Sequence, residues 1–600
     1  MSVRDIISPF SVWKNIFRDP VTIADPINDR PGAPRYRGFH KNDVEKCIGC
    51  GTCEAICQNG AIDMVAVADH PAKDGDSGLR PRIDYGRCCW CALCVDICMT
   101  GSLNMSNEYK WIEADPDKFR FIPGIDKKHW DSAELGYQRP REHHLTLGTR
   151  VSMGELKPAK RLDSFVEIVA GYSVEEARLE ADRCVACGIC IATCPTHMAI
   201  PDYIAAVRDG DYERGLQLLY DTNPFSQVCG RICTHRCETA CAVSHQGEPI
   251  AIRWLKRHIT EQVPYERYPQ LIGNRAPRSG KKIAIIGAGP AGLTAAFDLV
   301  RQGHEVAVYE ALDKAGGMTR YGIPEYRLPC DVLNQDIGII ESLGVKIHYN
   351  TRVGVDIPMQ QLREERDAVV LAIGLQLGRS TRIPNADHPS VHKSVDLLRK
   401  ITEGEKFDIP HSVVVIGGGN VAMDIARSMA RLQKREYGEA RVTLTALEDK
   451  RHFLADPVEV KESLEEGIEI YDSRGPHSCE LDQNNNLIGL KTWKVLSIFD
   501  EQGRFAPQYD PEDEQLHKGE MVIEAIGQMS DISLLGDVLT EALEWNRGRI
   551  AVDTDGRTSE SWLWSAGDCV NGPDVVHAVA DGHRVAASIE SYLKQKGGIE

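Results

Sequence analysis

The side chains best suited to chemistry in this sequence are those of its cysteines. The chain has 600 residues and 20 cysteines. Sixteen of the cysteines form regular runs, two between residues 47 and 98 and two between residues 184 and 241. Cysteines clustered at fixed short spacings indicate metal ligation rather than a disulfide framework.

The first two runs have the spacing C-x2-C-x2-C-x3-C of bacterial ferredoxins. In that pattern the fourth cysteine binds the neighbouring iron–sulfur cube. The spacing predicts one [4Fe–4S] cluster on Cys47, Cys50, Cys53 and Cys98, and a second on Cys88, Cys91, Cys94 and Cys57. Zinc is the alternative metal, but its sites usually show separated cysteine pairs. Cys89 is off register, and we expect it to be a packed thiol beside the cluster.

The residues around these runs, from Tyr36 to Tyr109, resemble the two-cluster ferredoxin-like subunit of complex I and related hydrogenases. The resemblance implies a module that transfers electrons between larger partner subunits. The preceding residues 6–17 are apolar and aromatic on part of their surface. This pattern predicts either docking on a partner subunit or packing against the ferredoxin module.

The third and fourth runs contain Cys184, Cys187, Cys190, Cys194, Cys229, Cys233, Cys237 and Cys241. They resemble the helical N-terminal domain of the glutamate synthase small subunit and its relatives, which carries two [4Fe–4S] clusters. The resemblance implies that Cys184, Cys187, Cys190 and Cys241 hold one cluster, while Cys194, Cys233 and Cys237 give three ligands to the other. The family often takes its last ligand from a Glu or Gln where this chain has Lys256. A protonated lysine has no lone pair for iron, so we expect Cys229 as that ligand.

A dinucleotide-binding fingerprint follows the cysteine runs. An apolar strand over residues 281–286 leads into Gly287, Gly289 and Gly292, and a helix and a second strand ending at Glu310 come next. Glycines in this context let a pyrophosphate approach the helix N-terminus, where backbone N–H groups favour anions. Glu310 lies where a carboxylate binds a ribose hydroxyl.

A second fingerprint opens after the strand 413–416, with Gly417, Gly419, Asn420 and Ala422 leading into a helix. Two such units suit a flavin domain with an inserted nicotinamide domain. Five further segments, 316–329, 371–374, 524–528, 564–568 and 572–576, also resemble the glutamate synthase small subunit. The resemblance implies that the first fold binds FAD, with Asp568 on the ribityl chain, and that the second binds the nicotinamide nucleotide. It also assigns to the cofactor sites Gly317, Met318, Gly322, Ile323, Gly374, Gly567 and Val576.

The choice between NAD and NADP depends on the end of the second strand of the inserted fold. Glu448 would repel a 2′-phosphate and accept a ribose diol, which favours NADH. Lys450 and Arg451 lie close enough in the sequence to reverse that preference. The choice stays open, with a lean to NADH.

Composition narrows the class of protein and its location. A formal net charge of −18 argues against a nucleic-acid binder, which normally carries a basic patch. The sequence shows neither a membrane-spanning apolar stretch nor the layout of a signal peptide, so we expect a cytoplasmic protein.

At 66.6 kDa the chain is too long for one core and predicts a multidomain α/β protein. The expected domains are a docking segment (1–39), a ferredoxin-like 2×[4Fe–4S] module (40–110), a linker (111–160), a helical 2×[4Fe–4S] domain (161–275), a Rossmann-like FAD domain (276–375 and 530–600) and an inserted Rossmann-like NAD(P) domain (376–529).

These features predict an oxidoreductase that transfers electrons between NAD(P)H, FAD and four [4Fe–4S] clusters, with no catalytic acid or base named. The expected partners are other redox subunits and ferredoxin, in a transhydrogenase or hydrogenase complex that bifurcates electrons. One alternative is the small subunit of a glutamate synthase, which feeds a separate amidotransferase. Another is a structural adaptor with a vestigial nucleotide site.

Overall fold

The computed structural model describes residues 8–18, 32–140, 143, 145–572 and 574–597. Internal contacts divide the chain into two units. The first comprises Met1–Gly148, Val185–Ile189 and Cys241–Glu248, and the second comprises Thr149–Cys184, Cys190–Ala240 and Pro249–Glu600. No helix in the described ranges is long and apolar enough to cross a membrane.

The first unit is built from short elements around an aromatic core. Strand β1 (His40–Asn42) pairs antiparallel with β4 (Leu103–Met105), and β2 (Ile62–Ala66), β3 (Leu79–Asp84) and β5 (Arg120–Phe121) form a second antiparallel sheet. Helices α1 (Thr52–Ala55) and α2 (Leu93–Asp96) lie within the two cysteine runs. This arrangement is the ferredoxin-like module that the sequence predicts.

The segment predicted as a linker contributes to that module instead of only crossing its surface. Strand β5 pairs with β3, and Trp130 is fully buried against Phe39, with ring centroids 4.3 Å apart. A segment without hydrophobic periodicity is usually predicted to be a linker. Here its aromatic side chains bury enough apolar area to complete a small core. The prediction of a linker over residues 111–160 is therefore corrected for residues 111–137.

The predicted docking segment is described only in part. Residues 1–7 and 19–31 lie outside the described residues. Ser8–Phe17 forms a 3₁₀ helix on which Val12, Trp13, Ile16 and Phe17 are exposed. Docking on a partner stays a prediction.

The second unit begins with short helices that carry most of the third and fourth cysteine runs. They are α3 (Pro158–Arg161), α4 (Val174–Ala181), α5 (Ile189–Thr193), α6 (Ile200–Asp209), α7 (Tyr212–Thr222), α8 (Ser226–Ile232), α9 (Arg236–Thr239), α10 (Ile252–Gln262) and α11 (Tyr268–Ile272). Helix α4 starts at a capping box in which Ser173 and Glu176 bond each other's backbone N–H groups.

Two parallel sheets follow, each with the strand–loop–helix start that its fingerprint predicts. The first has the order β22-β9-β6-β7-β8, from Leu563–Ser565, Ala368–Leu371, Lys282–Ile286, Glu305–Tyr309 and Lys346–His348. The second has the order β11-β18-β12-β13-β14, from Val391–Lys393, Met521–Glu524, Val413–Ile416, Val442–Thr445 and Glu469–Tyr471. Both are Rossmann-type sheets.

The helices that cover these sheets, and the remaining strands, complete the second unit. The helices are α12 (Pro290–Arg301), α13 (Met318–Tyr321), α14 (Cys330–Ser342), α15 (Met359–Glu365), α16 (Ser394–Glu403), α17 (Asn420–Tyr437), α18 (Pro457–Glu465), α19 (Gly536–Ala542) and α20 (Val575–Gly597). An antiparallel sheet of β15 (Arg474–Leu481), β16 (Leu487–Phe499) and β17 (Phe505–Lys518) follows β14, and β20 (Trp545–Asn546) pairs with β21 (Arg549–Ile550).

The chain enters and leaves the second Rossmann fold side by side. Strand β10 (Leu377–Gly378) pairs antiparallel with β19 (Gln528–Met529). One fold is therefore inserted into the other through a two-stranded connection.

A buried ion network joins the two Rossmann folds. Arg327, from the loop before α14, lies 2.8 and 2.7 Å from the two carboxylate oxygens of Asp424 on α17 and 2.8 Å from Glu459 on α18. Burial raises the pKa of Asp424 to about 6, although Arg327 opposes that rise. A buried carboxylate of this kind stays ionised only while its cation is present.

We predict that Arg327→Met destabilises the contact between the folds by about 3–5 kcal/mol, because it leaves buried carboxylates without their cation. The measurement is amide hydrogen exchange of α17, which should become faster. The matched control is R327M/D424L, which removes both charges and should recover part of the protection. Unchanged exchange in R327M would contradict the role given to this ion pair.

Candidate functional site

The two ferredoxin-type runs use the same backbone turn. Gly51 (φ 73°) lies between Cys50 and Cys53, and Ala92 (φ 67°) lies between Cys91 and Cys94. Each is in the left-handed region directly before a short helix, so the chain reverses between the second and third cysteine. An alanine there costs about 1–2 kcal/mol, which indicates that the turn is enforced by its surroundings.

The thiols of the first unit lie close enough to affect one another's pKa. Burial first, and then neighbouring thiols, raises the pKa of both Cys53 and Cys94. The thiols that act on Cys53 are those of Cys50, Cys94, Cys47 and Cys98. The thiols that act on Cys94 include those of Cys88, Cys91 and Cys57. The structure thus brings members of each predicted set together, with Cys94 near thiols of both sets, and ligation itself stays a prediction. Cys89 is exposed, so the expectation of a packed thiol is wrong.

Neighbouring thiols that are mostly partly buried need a compensating positive charge before they can ionise together. Burial also raises the pKa of Cys88 to about 11. Iron supplies that positive charge, because a coordinating thiol is deprotonated by the metal. The residues present therefore fit [4Fe–4S] clusters.

The described residues hold no group of three or more His, Cys, Asp or Glu side chains arranged to bind one metal ion. A cube places its four thiolates on four different irons, so these thiolates need not converge on one point.

Backbone N–H groups point at several of these sulfurs. The Sγ atoms of Cys57, Cys88 and Cys98 accept from the backbone N–H groups of residues 61, 90 and 103 at 3.3, 3.4 and 3.5 Å. Such donors stabilise thiolate charge and adjust cluster potentials.

His40 is a further polar contact that the sequence did not single out. Its Nε2 lies 3.2 Å from the Sγ of Cys94, and burial lowers the pKa of His40 to about 4. The only sequence signal was its position seven residues before Cys47. A histidine at that distance has no fixed spacing to the second run, so the pattern gave no reason to choose it.

A buried lysine lies near thiols of the third and fourth cysteine runs. Lys256 is 5% exposed. Burial acts to lower the pKa of Lys256, but nearby thiols outweigh that effect and raise it. Those thiols are Cys233, Cys229, Cys194 and Cys237. The structure therefore places Cys229 with the three predicted ligands of the second cluster and places a cation where relatives are expected to have a ligand.

The other four cysteines of this region differ in burial. Cys190 and Cys241 are buried, while Cys184 and Cys187 are partly exposed. Their ligation of one cluster stays a prediction.

The first glycine loop lies against a second one. Gly287 has φ 103°, and a Cβ there would lie 2.4 Å from the carbonyl oxygen of residue 372. Gly289 precedes α12, and a Cβ on Gly317 would lie 3.1 Å from the Cα of Gly289. A Cβ on Gly292 would lie 2.2 Å from the Gly287 carbonyl oxygen. Only glycines permit this approach, which leaves backbone N–H groups available to a pyrophosphate.

Two carboxylates near this loop suit the hydroxyl groups of a flavin nucleotide. Glu310 follows β7 and accepts from the backbone N–H groups of residues 288 and 312 at 2.9 and 3.0 Å. The Oδ1 atom of Asp568 is buried without a hydrogen-bond partner in the described residues, and burial raises the pKa of Asp568 to about 6. An unpaired buried acceptor needs a donor, and a ribityl hydroxyl is such a donor. The residues present therefore fit FAD.

The remaining predicted flavin-site residues lie on neighbouring elements. Met318 begins α13, Gly322 ends it, and Ile323 is partly buried just beyond. Gly374 (φ 61°) follows β9, and Val576 lies at the start of α20. The backbone N–H of Gly567 donates to Asp581 at 3.1 Å.

The second glycine loop has the same construction. A Cβ on Gly417 (φ 142°) would lie 2.4 Å from the carbonyl oxygen of residue 525, and Gly419 precedes α17. The Asn420 side chain accepts from the backbone N–H of Asp456 at 2.8 Å, and Ala422 is buried in the core. This loop fits a second dinucleotide.

Glu448 lies directly over that loop. A Cβ on Gly418 would lie 2.9 Å from its Oε2. Lys450 is exposed, and Arg451 is 85% exposed in its side chain. The Glu448 carboxylate thus lies against the loop, while the exposed Arg451 pairs with Asp449 at 3.5 Å.

Family comparisons match these sites to known proteins. Residues 281–582 match the pyridine nucleotide-disulphide oxidoreductase family. Residues 161–267 match the 4Fe-4S cluster domain II of dihydropyrimidine dehydrogenase, and residues 46–102 match a 4Fe-4S dicluster domain.

Curated relatives include three subunits of redox enzymes. The NADP(+)-dependent formate dehydrogenase subunit beta of Moorella thermoacetica is 38% identical over 68% of this chain and 60% of its own length. The NADPH-Fe(3+) oxidoreductase subunit beta of Geobacter sulfurreducens is 32% identical over 68% and 64%. The glutamate synthase [NADPH] small chain of Halomonas elongata is 32% identical over 73% of this chain and 96% of its own length.

The chain spans less than two thirds of the first two relatives, so their whole activities do not transfer with the match. The family model matches half of this chain, and the match to the glutamate synthase small chain covers 96% of that relative. These two matches show the family. The chain thus belongs to the pyridine nucleotide-disulphide oxidoreductase family, and two further stretches of it match 4Fe-4S domain models.

Proposed function

We propose that this chain is the nucleotide-oxidising subunit of a multisubunit redox complex, carrying FAD, an NAD(P)H site and four [4Fe–4S] clusters. The bound FAD supplies the exchange of one hydride for two single electrons. The observation that carries the proposal is the presence of two glycine-loop folds and clustered thiols on one chain. Neither site contains a catalytic acid–base pair in this proposal, because hydride and electron transfer require positioning rather than proton abstraction.

The loop between Cys233 and Cys237 supports a route from the flavin to the clusters. Thr234 Oγ1 donates to the Asp574 carboxylate at 3.0 Å, one residue before α20. His235 Nε2 lies 3.3 Å from the carboxylate of Asp456, which caps α18. One cluster-binding loop is therefore fixed to both nucleotide folds. We propose that electrons leave the flavin through the clusters of this second unit and then through the N-terminal ferredoxin module.

The proposed partners are other redox subunits and ferredoxin, in a complex of the transhydrogenase or hydrogenase kind that bifurcates electrons. The extra ferredoxin-like module supports these partners, because a cluster-binding module attached to a flavoprotein is suited to transferring electrons to another subunit. Two relatives are named beta subunits, which supports assembly into a larger complex.

A second candidate function is the small subunit of a glutamate synthase. The match to the Halomonas elongata small chain, over 96% of that chain, favours it. The test is to add a glutamate synthase large subunit and follow NADPH oxidation with glutamine and 2-oxoglutarate. NADPH oxidation coupled to glutamate formation would support the glutamate synthase candidate. NADPH oxidation that depends on ferredoxin and does not respond to the large subunit would exclude that candidate.

We predict that anaerobic NADH or NADPH bleaches the flavin of the purified chain and that EPR signals of reduced clusters then appear. Four clusters require about 16 iron atoms per chain, since each cube holds four irons. Cys233→Ala should remove about four irons, while Cys330→Ala, outside the cysteine runs, should remove none. If neither nucleotide bleaches the flavin, the chain is the structural adaptor with a vestigial nucleotide site instead.

We predict that Glu448→Gln shifts nucleotide selectivity toward NADPH. Removing a carboxylate beside the glycine loop removes repulsion of a 2′-phosphate, and one charge contact of about 1.4 kcal/mol changes the kcat/KM ratio about tenfold. The measurement is kcat/KM for NADPH and NADH with an artificial acceptor. Glu436→Gln, an exposed residue at the far end of α17, is the matched control. If the ratio of kcat/KM for NADPH to kcat/KM for NADH is the same in wild type and E448Q, Glu448 does not discriminate between the two nucleotides at the ribose.

A further inference from the structure

His40 is held in place from three directions in the first unit. Its backbone N–H donates to the Tyr85 hydroxyl oxygen at 2.7 Å, and its carbonyl oxygen accepts from the Trp130 indole N–H at 3.3 Å. Its ring lies between two groups, with Nδ1 2.6 Å from the Tyr85 hydroxyl and Nε2 3.2 Å from the Cys94 Sγ. The residue is 1% exposed. Its imidazole therefore has one fixed orientation.

The contacts determine which ring nitrogen carries the proton. A cluster-bound Cys94 is a thiolate, which only accepts hydrogen bonds, so Nε2 must donate to it. The imidazole is buried, and its ring partners in the described residues are Tyr85 and Cys94 rather than a carboxylate, so burial favours the neutral ring, in which Nδ1 is an acceptor. The Tyr85 hydroxyl already accepts the backbone N–H of His40, which leaves its own proton to donate to Nδ1. The result is a directed relay from Tyr85 through His40 to the sulfur.

We propose that His40 is a positioning residue that donates its Nε2–H to the Cys94 thiolate and raises the reduction potential of the cluster on Cys57, Cys88, Cys91 and Cys94. The inference rests on the proposed function only in requiring that this cluster is present. One-electron reduction adds negative charge to the cube and its sulfurs. A donor fixed on one sulfur therefore stabilises the reduced form more than the oxidised form.

Tyr85 strengthens this effect through the ring. Its O–H bond to Nδ1 fixes the tautomer, as outer hydrogen bonds do for metal-bound histidines. The Tyr85 ring also stacks on Phe121, with centroids 5.5 Å apart, so a phenylalanine at residue 85 would keep the packing and remove only the hydroxyl. This makes Tyr85→Phe a conservative probe of the relay.

The test is an EPR-monitored redox titration of the full chain with dithionite and mediators, which does not depend on nucleotide oxidation. His40→Leu should lower the reduced-to-oxidised ratio of this cluster about tenfold at a fixed potential, which corresponds to 59 mV for one electron. His40→Gln, which keeps an N–H donor, should restore part of the change, and Tyr85→Phe should give a smaller change of the same sign. His129→Leu, an exposed histidine whose ring contacts the carbonyl of residue 110, is the matched control.

A second readout examines the hydrogen bond directly. With ¹⁵N-histidine, the reduced cluster of the wild-type chain should show a nitrogen coupling and an exchangeable proton coupling, and H40L should lack both. Unchanged titrations in both H40L and Y85F, in chains with full iron content, would overturn the proposal. If H40L loses iron, an unchanged Y85F together with the absence of a histidine nitrogen coupling would overturn it as well. Failure of NADH and NADPH to bleach the flavin would count against the proposed function and leave these cluster titrations unaffected.

Discussion

A buried ion network holds the two Rossmann folds of the second unit together. Arg327 bridges Asp424 and Glu459, and Arg427, on the same helix as Asp424, pairs with Glu466 at 2.8 Å. Charges removed from water are strongly penalised unless each has a partner in good geometry. Because Arg327 comes from one fold and its partners from the other, only a narrow range of orientations satisfies all the charges. Hydride transfer needs such fixed geometry between two rings.

The cysteines need charge partners too, but here the groups to be compensated are negative thiolates. Thiols such as Cys53 and Cys94 are gathered in buried space, where burial and mutual proximity raise their pKa. Iron relieves that repulsion, and N–H donors such as those at Cys57 and Cys88 share the remaining charge. Lys256 contributes a further cation beside the second-unit thiols. The placement of charges and donors around these sulfurs would adjust the potential of a cluster bound here.

Much of the fold follows from local patterns in the chain. Strand β6, the turn at Gly287 and helix α12 are contiguous, so spacing and apolar character predict them together. Residues 111–137 carry no such period, and their role in the core of the first unit depends on aromatic contacts such as that of Trp130 with Phe39. Sequence patterns do not report contacts between distant residues, and this limits any prediction of where a segment packs.

By itself the sequence determined the chemistry: sixteen cysteines in ferredoxin-type and related runs, and two glycine fingerprints, each within a short stretch of chain. Local spacing is sufficient there because the ligands of one cube, or the turn under one pyrophosphate, come mainly from neighbouring residues. Only the tertiary structure decided that His40 reaches Cys94, that Arg327 reaches Asp424 and that Lys256 faces four thiols. These contacts join residues 54 and 97 positions apart in the first two cases, and packing, not spacing, sets which of them meet.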